Sequence, residues 1–221
     1  MSMPRTVKIT CPSCGRESDF VIWDSINTML DPETKQAVRD GSLFEFTCSH
    51  CNETTTVNYS FLYHQMEDHM MIHCAMTEEN RKDFLKIMHN NKNDLMPGDN
   101  AEKYLIRSVL TLNETREKLH IFDAGLDDRM IELCKFIILS KLIREDNLNP
   151  EDTELYYFRD DNKNYVQIIH NHEPYGVTEI NDEFYQGMEE RFGTGLPDIR
   201  KSEEVIDRNW ALRSIRAATK N

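Results

Sequence analysis

The spacing of apolar and polar residues along the chain predicts a mixture of short strands and amphipathic helices. Alternation of apolar and polar positions is typical of half-buried strands, and it occurs in residues 7–10, 20–23, 44–47, 54–63, 69–75 and 104–110. Helical spacing predicts helices over residues 31–41, from Thr77 past Met88, over 113–122, over 127–144 and over 182–191, with a last helix beginning at Ser202. Two further apolar runs, residues 155–158 and 165–169, predict a hairpin.

The helix predicted over residues 127–144 is the most apolar segment of the chain. Asp127 and Asp128 provide a cap and an acidic first turn, and apolar residues then follow round most of its circumference. A helix that is apolar on nearly all sides is typical of a protein interior. We therefore expect this helix at the centre of a hydrophobic core.

Two C-x-x-C motifs carry the clearest chemistry in the sequence, Cys11-Pro-Ser-Cys14 and Cys48-Ser-His-Cys51. The two-residue spacing lets one tight turn aim both sulfurs at a single ion, and zinc favours four thiolates in a tetrahedron. Such a site has no open coordination position, which favours a structural role over metal catalysis. The sequence therefore predicts one structural zinc ion with four ligands, Cys11, Cys14, Cys48 and Cys51.

The two motifs belong to a short internal repeat. Residues 7–15 align with residues 44–52 at an offset of 37 residues, so an alternating strand pattern leads into each motif. Gly15 and Asn52 follow the second cysteines, and both residue types tolerate the positive φ that such a turn needs. Two strand-borne motifs that face each other form a zinc ribbon, and the long segment between them accommodates the short helix predicted over 31–41.

Other interpretations of the cysteines remain open at this point. A thioredoxin-like redox pair requires one motif in a βαβ context, whereas this chain has two matched motifs. The two motifs could also occur by chance, and His50 could replace one cysteine as a ligand. Cys74 and Cys134 lie in apolar surroundings, and we expect both to be buried as small hydrophobic residues.

These patterns together predict an α+β protein in three parts. Residues 1–76 form a zinc-ribbon-like β module with an inserted helix. Residues 77–145 add a strand and the core helices, and residues 146–221 form a small α+β extension at the C-terminus.

Several motifs outside the cysteines have a recognisable spacing. They are Asp40-Gly41, Phe46-Thr47 before Cys48, Asn58-Tyr59 with Leu62-Tyr63-His64, Leu112-Asn113-Glu114 with Arg116-Glu117-Lys118, and Gly125-Leu126-Asp127-Asp128-Arg129. With the cysteines they make the stretch from Ile9 to about Leu139 resemble the CpXC domain, a prokaryotic family. Ser49 stands where the second motif of that family has proline, and Asn52 replaces glycine. The resemblance implies a cysteine-bound metal, a bacterial or archaeal source and no particular activity.

The composition narrows the class of protein. Hydrophobic residues make up 39% of the 221 residues and charged residues 29%, with a mean hydropathy of −0.63. This is too apolar for a disordered chain and too polar for a membrane protein. No apolar run approaches the ~20 residues of a membrane helix, and the N-terminus lacks the apolar core of a signal peptide. We therefore expect a cytoplasmic protein with reduced thiols.

The charge of the chain disfavours nucleic acid and anionic lipid as partners. Its net charge is −13, and residues 1–64 alone carry −3, so phosphate groups would be repelled. Residues 200–221 are the exception, with six basic and three acidic side chains. We expect this segment to dock on the acidic body or to remain solvated.

Histidines offer the main alternative function, an enzyme. His69 and His73 would share a strand face near His64, and His170 and His172 would do the same. Spacing places no carboxylate beside either group, and no recognised catalytic motif occurs. We therefore expect a non-catalytic protein that binds another protein or assembles with itself. A nucleic-acid-associated ribbon and a histidine-dependent enzyme are the alternatives.

Overall fold

A computed structural model of the protein describes residues 1–95 and 103–218. Six α-helices and ten strands lie within these residues, so the α+β class predicted from the sequence is confirmed. The chain divides into two compact units, Met1–Arg116 (unit 1) and Glu117–Asn221 (unit 2). The predicted three-part division at residues 76 and 145 stays a prediction.

The strands and helices are numbered in the order in which they occur along the chain. The elements up to the boundary are β1 (Met3–Thr10), β2 (Glu17–Asn27), α1 (Glu33–Asp40), β3 (Glu45–Thr47), β4 (Thr54–Thr56), β5 (Phe61–Gln65), β6 (Met70–Cys74), α2 (Glu78–Leu95), β7 (Leu105–Val109) and α3 (Leu112–Asp123), in which the boundary falls. The elements after it are α4 (Asp128–Glu145), β8 (Thr153–Asp160), β9 (Lys163–His170), β10 (Glu173–Ile180), α5 (Asp182–Phe192) and α6 (Arg208–Ala218).

The main sheet of unit 1 has five strands in the order β1-β2-β5-β6-β7. The pairs β1–β2 and β5–β6 are antiparallel, whereas β2–β5 and β6–β7 are parallel. The connection from β2 to β5 contains α1 and a second hairpin, β3–β4. Alternation in the sequence identifies strands but not their neighbours, so it did not predict the parallel pairs.

The strand predicted over residues 54–63 is interrupted in the structure. β4 ends at Thr56 and β5 begins at Phe61, and the residues between them are not strand. There the ring of Tyr59 packs against Phe44 and Phe61, with centroids 5.5 and 5.9 Å apart. The apolar spacing in this stretch therefore reflects packing of a loop as well as of a strand.

Helix α1 is fixed to the sheet by a buried arginine. The Arg39 guanidinium donates to Tyr63 Oη at 2.8 Å and to Gln65 Oε1 at 3.1 Å. All three side chains are buried, and a buried donor is costly unless it finds acceptors. Gly41 ends the helix with φ 88°, as its position after the helical pattern predicted.

The interior of unit 2 is built around α4, as the sequence predicted. Ile131, Leu133 and Cys134 are fully buried in one cluster with the inner face of the β8–β9–β10 sheet. The sheet order is β10-β9-β8, and both pairs are antiparallel. The hairpin expected from residues 155–169 is β8–β9, whereas β10 was not predicted.

Charged residues are also buried beside α4, which the apolar pattern did not indicate. Lys135 Nζ lies 2.9 Å from Glu117 Oε1 and 2.9 Å from Glu132 Oε2. Lys118 Nζ lies 2.7 Å from Asp128 Oδ2 in a second buried pair. Helix α4 thus combines an apolar surface with ion pairs inside the protein.

The C-terminal helix begins later than predicted, at Arg208 rather than Ser202. Trp210 and Ala211 are buried in the unit 2 core. The Arg208 guanidinium donates to the carbonyl oxygens of Pro150 and Thr153. The basic segment is therefore docked on its own unit, one of the two outcomes expected.

No helix within the described residues is both long enough and apolar enough to cross a membrane.

Candidate metal centre

The four cysteines of the two C-x-x-C motifs come together in unit 1. Their sulfur atoms all lie within 4.8 Å of one another. Within the parts of the chain that the structure describes, this is the one group of histidine, cysteine or acidic side chains arranged to hold a metal ion. Cys11 and Cys48 are buried, whereas Cys14 and Cys51 are exposed.

The turn after each first cysteine has the same backbone hydrogen bonds in both motifs. In the first, the Gly15 amide donates to the Cys11 carbonyl and the Cys11 amide to the Arg16 carbonyl, both at 2.9 Å. In the second, the Asn52 amide donates to the Cys48 carbonyl at the same distance.

The residue after each second cysteine adopts the left-handed conformation. Gly15 has φ 71° and Asn52 has φ 59°, which confirms the positive φ predicted at both positions. These turns point both sulfurs of a motif in the same direction, as ligands of one ion require.

Each motif is the tip of an antiparallel hairpin. The first joins β1 to β2 and the second joins β3 to β4. Beneath the sulfurs, Cys11, Phe46 and Cys48 form a small buried cluster. The rings of Phe20 and Phe46 meet edge to face, with centroids 5.8 Å apart. Apolar packing therefore brings the two hairpins together at the cysteines.

The spacing of the sulfurs fits a tetrahedral metal site. A zinc–sulfur bond of ~2.3 Å implies sulfur–sulfur edges of about 3.8 Å in a regular tetrahedron. Cys11 Sγ lies 3.6 Å from Cys51 Sγ, and Cys14 Sγ lies 3.7 Å from Cys48 Sγ. The donor set can thus hold a metal ion with little movement.

Polar groups around Cys48 are oriented toward its sulfur. The His50 amide donates to Cys48 Sγ at 3.4 Å, and Ser18 Oγ lies 3.8 Å from the same atom. The His50 amide is the main reason that the pKa of Cys48 is lowered to about 6. The Glu53 amide lowers the pKa of Cys51, but desolvation and hydrogen bonds of the neighbouring thiols raise it to about 12. Neighbouring sulfurs cannot all carry charge without a cation, so the four thiols form a site that a cation stabilises.

The cysteine motifs and their surroundings match a known family. A family model described as CpXC protein matches residues 9–135, more than half of the chain and including all four cysteines. The chain belongs to the CpXC family. This confirms the resemblance inferred from the sequence, which extended from Ile9 to about Leu139. Comparison with curated proteins gave no match, and comparison with solved structures gave none.

His50 of this CpXC chain is not among the clustered ligand side chains. Its Nε2 atom lies 3.2 Å from the carbonyl oxygen of Glu17, and the side chain is exposed. The second motif therefore offers the cluster its two cysteines, and its histidine contributes the backbone amide described above.

The other two cysteines of the CpXC chain are buried elsewhere, as predicted. Burial raises the pKa of Cys74 to about 11 and that of Cys134 to about 12. Both thiols therefore remain protonated at neutral pH, and a protonated cysteine is a poor nucleophile and a poor metal ligand.

The first histidine group lies beside hydroxyl groups. His64 Nε2 lies 2.8 Å from Tyr104 Oη, and His73 Nδ1 lies 3.3 Å from Ser108 Oγ. The prediction that His69 lies on a strand is wrong, because it has φ 52° in the turn before β6. Its ring instead meets Tyr104 edge to face, at 5.3 Å.

The second histidine group is divided between a strand and a turn. His170 ends β9, and its Nδ1 atom lies 3.0 Å from Thr153 Oγ1. His172 has φ 65° in the turn that follows, so the prediction that the two share a strand face is wrong. Asparagine and histidine with positive φ make the tight turn between β9 and β10, a role that needs no catalytic explanation.

Proposed function

We propose that the CpXC chain binds one zinc ion through Cys11, Cys14, Cys48 and Cys51, and that the ion has a structural role. The observation that carries the proposal is the convergence of four thiols within 4.8 Å. Four soft sulfur donors at tetrahedral spacing suit zinc, and iron is the principal competitor for such a set. When bound, zinc would cross-link the two hairpins through four strong bonds.

We further propose that β1–β2 and β3–β4 together constitute a zinc ribbon. Each hairpin carries one motif at its tip, and the apolar contact between Phe20 and Phe46 lies beneath the sulfurs. A small three-residue hairpin such as β3–β4 has little core of its own, so a metal cross-link would supply much of its stability.

We propose a non-catalytic role in the cytoplasm, in binding another protein or in self-assembly. Four protein ligands leave no coordination position for a substrate, and reduced thiols suit a reducing compartment. Exposed large apolar side chains in unit 1 support a protein contact; they include Met3, Val21, Met29 and Leu30. The net charge of −13 opposes nucleic acid as the partner.

Metal content measured on the untagged full chain tests the zinc proposal. Native mass spectrometry and elemental analysis are expected to give one zinc per chain, and chelation is expected to lower the melting temperature. Cys11→Ser and Cys48→Ser should each abolish stoichiometric binding, because each removes a buried ligand. Cys74→Ala is the matched control, since it removes a buried thiol outside the cluster. Iron in place of zinc, or a chain without metal that chelators do not affect, would contradict the proposal.

Light scattering and binding assays test the proposed partner. A particle mass of two or more times the 26.0 kDa of one chain, or a stable complex with a co-purified protein, supports it. Salt-dependent binding to DNA or RNA that is lost on deleting residues 200–221 would instead favour the nucleic-acid alternative. Turnover of a substrate dependent on His64 or His170 would favour an enzyme.

A further inference from the structure

Exposure alternates among the four cysteines of the cluster. Cys11 and Cys48 are 1% and 0% exposed, whereas Cys14 and Cys51 are open to solvent. A small oxidant in solution therefore meets the second cysteine of each motif first. Susceptibility of a thiol to oxidation follows its exposure and its thiolate character, and metal ligation requires the thiolate form.

The sulfur of each exposed cysteine lies beside the sulfur of a buried cysteine of the other motif. Cys51 Sγ is 3.6 Å from Cys11 Sγ, and Cys14 Sγ is 3.7 Å from Cys48 Sγ. A disulfide has a sulfur–sulfur bond of about 2.05 Å, so each pair needs to approach by less than about 2 Å. An exposed cysteine with a second thiol in contact is the arrangement of redox-sensing sites.

We infer that the cluster is a peroxide-sensitive site, which is oxidised to two disulfides that join the motifs, Cys11–Cys51 and Cys14–Cys48. The inference rests on the zinc site proposed above and concerns the regulation of that same site. The oxidant is hydrogen peroxide or another two-electron peroxide.

The chemistry at each pair is a two-step oxidation. The exposed thiolate attacks one peroxide oxygen, the O–O bond breaks, and the products are a sulfenic acid and hydroxide. The buried thiolate then attacks the sulfenic sulfur, the S–O bond breaks, and a disulfide and a second hydroxide result. Two thiolates thus lose two electrons to one peroxide, and two peroxides oxidise the whole cluster. The oxidised cluster retains no thiolate ligand, and it releases bound zinc.

The pairing determines what oxidation does to the fold. Disulfides between motifs keep the two hairpins cross-linked after zinc is lost. Disulfides within motifs, Cys11–Cys14 and Cys48–Cys51, would leave the hairpins joined by non-covalent contacts alone, such as that of Phe20 with Phe46. With the inferred pairing, zinc is released without separation of the hairpins.

Disulfide mapping of the zinc-loaded full chain after peroxide treatment tests the inference. The zinc content is first measured on the untreated sample. A sample without zinc would overturn the proposed function itself, and this inference with it. With one zinc per chain confirmed, peroxide is expected to release that zinc completely, with release followed by a colorimetric zinc indicator.

Peptide mass spectrometry under non-reducing conditions then identifies the pairs. Cys11–Cys51 and Cys14–Cys48 are expected, with Cys74 and Cys134 still reduced as internal controls, because both are buried. Pairs within each motif, or zinc retention at peroxide concentrations that oxidise free cysteine, would overturn the inference while leaving the zinc site intact.

Two matched variants give a second readout that does not require a complete zinc site. Cys51→Ser is expected to form Cys14–Cys48 and to leave Cys11 reduced, and Cys14→Ser is expected to form Cys11–Cys51 and to leave Cys48 reduced. A Cys11–Cys14 disulfide in Cys51→Ser, or a Cys48–Cys51 disulfide in Cys14→Ser, would contradict the assigned pairing.

Discussion

Lys135 Nζ lies 2.9 Å from Oε1 and 3.0 Å from Oε2 of Glu117, inside unit 2. Glu117 Oε1 also accepts a 2.6 Å hydrogen bond from the Tyr157 amide of β8. Burial lowers the pKa of Lys135, but the charges of Glu117 and Glu132 raise it further, above its ordinary value. The lysine is therefore held as a cation between two buried carboxylates.

Removing this cation is expected to destabilise unit 2 strongly. Lys135→Met leaves Glu117 and Glu132 buried without their partner, and breaking a buried pair in this way costs about 3–5 kcal/mol. The control is Lys141→Met, which removes an exposed lysine 3.8 Å from Glu145; surface pairs contribute at most about 1 kcal/mol. Urea denaturation measures both variants, and similar losses for the two would contradict the prediction.

The stability of the protein is expected to depend on pH through His73. Burial, and to a lesser degree the charge of Arg81, lowers the pKa of His73 to about 4, below the ordinary histidine value of about 6.5. The unfolded chain therefore binds a proton at this residue more readily than the folded chain. This contribution to stability is complete above about pH 6.5 and is lost as the pH falls toward 4.

A comparison of variants isolates this effect from the titration of carboxyl groups. His73→Gln is expected to show a shallower loss of unfolding free energy between pH 6.5 and pH 4 than the unmodified chain. His73→Gln also loses stacking on Phe84, whose ring centroid is 4.0 Å from that of His73. That loss lowers stability equally at every pH, so it does not change the slope of unfolding free energy against pH. His172→Asn, at an exposed turn position with positive φ, should retain the original slope.

The positive φ of Asn52 is expected to determine which substitutions the turn tolerates without loss of stability. Its φ of 59° disfavours a β-branched residue, and the left-handed conformation costs about 1–2 kcal/mol for an ordinary residue. Asn52→Val should therefore lower the unfolding free energy by about that amount and weaken zinc binding, whereas Asn52→Gly should leave both nearly unchanged. Chelator competition and urea denaturation give the two measurements, and equal behaviour of the variants would refute the assigned conformation.

The packing beneath the sulfurs is expected to affect metal affinity. Phe46 is 1% exposed and meets Phe20, and Phe→Ala substitutions in cores cost about 3–5 kcal/mol. Phe46→Ala should lower both thermal stability and zinc affinity, because metal binding and the folding of small sites are coupled. Val21→Ala changes an exposed side chain next to Phe20 in the β1–β2 hairpin and serves as the control. Zinc affinity unchanged in Phe46→Ala would show that the motifs hold their geometry without this contact.

The elements that the sequence predicted well are those set by local chemistry. Gly15 and Asn52 were expected to adopt a positive φ from residue type and position alone, and Asp127 was expected to cap α4. The convergence of the two motifs was expected because they repeat the same strand-and-turn pattern. In each case a few neighbouring residues determine the geometry.

The features that the sequence missed depend on strand pairing and on side-chain contacts that an apolar pattern does not show. β10 contains Pro174 and Gly176 and alternates poorly, so only its pairing with β9 makes it a strand. The late start of α6 follows from the capping contact of Asp207 Oδ1 with the Trp210 amide. The ion pairs of Lys118 and Lys135 were missed because an apolar pattern does not show which charged side chains pair inside the protein, even when the partners lie within 18 residues of each other.

The second motif is placed on a connection whose two ends are already fixed. β2 and β5 are hydrogen-bonded to each other in the main sheet, and the segment between them carries α1 and the β3–β4 hairpin. The two pairs of thiols therefore meet at a high effective concentration. Pairing of β2 with β5 closes this connection, so its loop-closure entropy is already lost before a metal ion binds. Such preorganisation favours rapid capture of a metal from dilute solution.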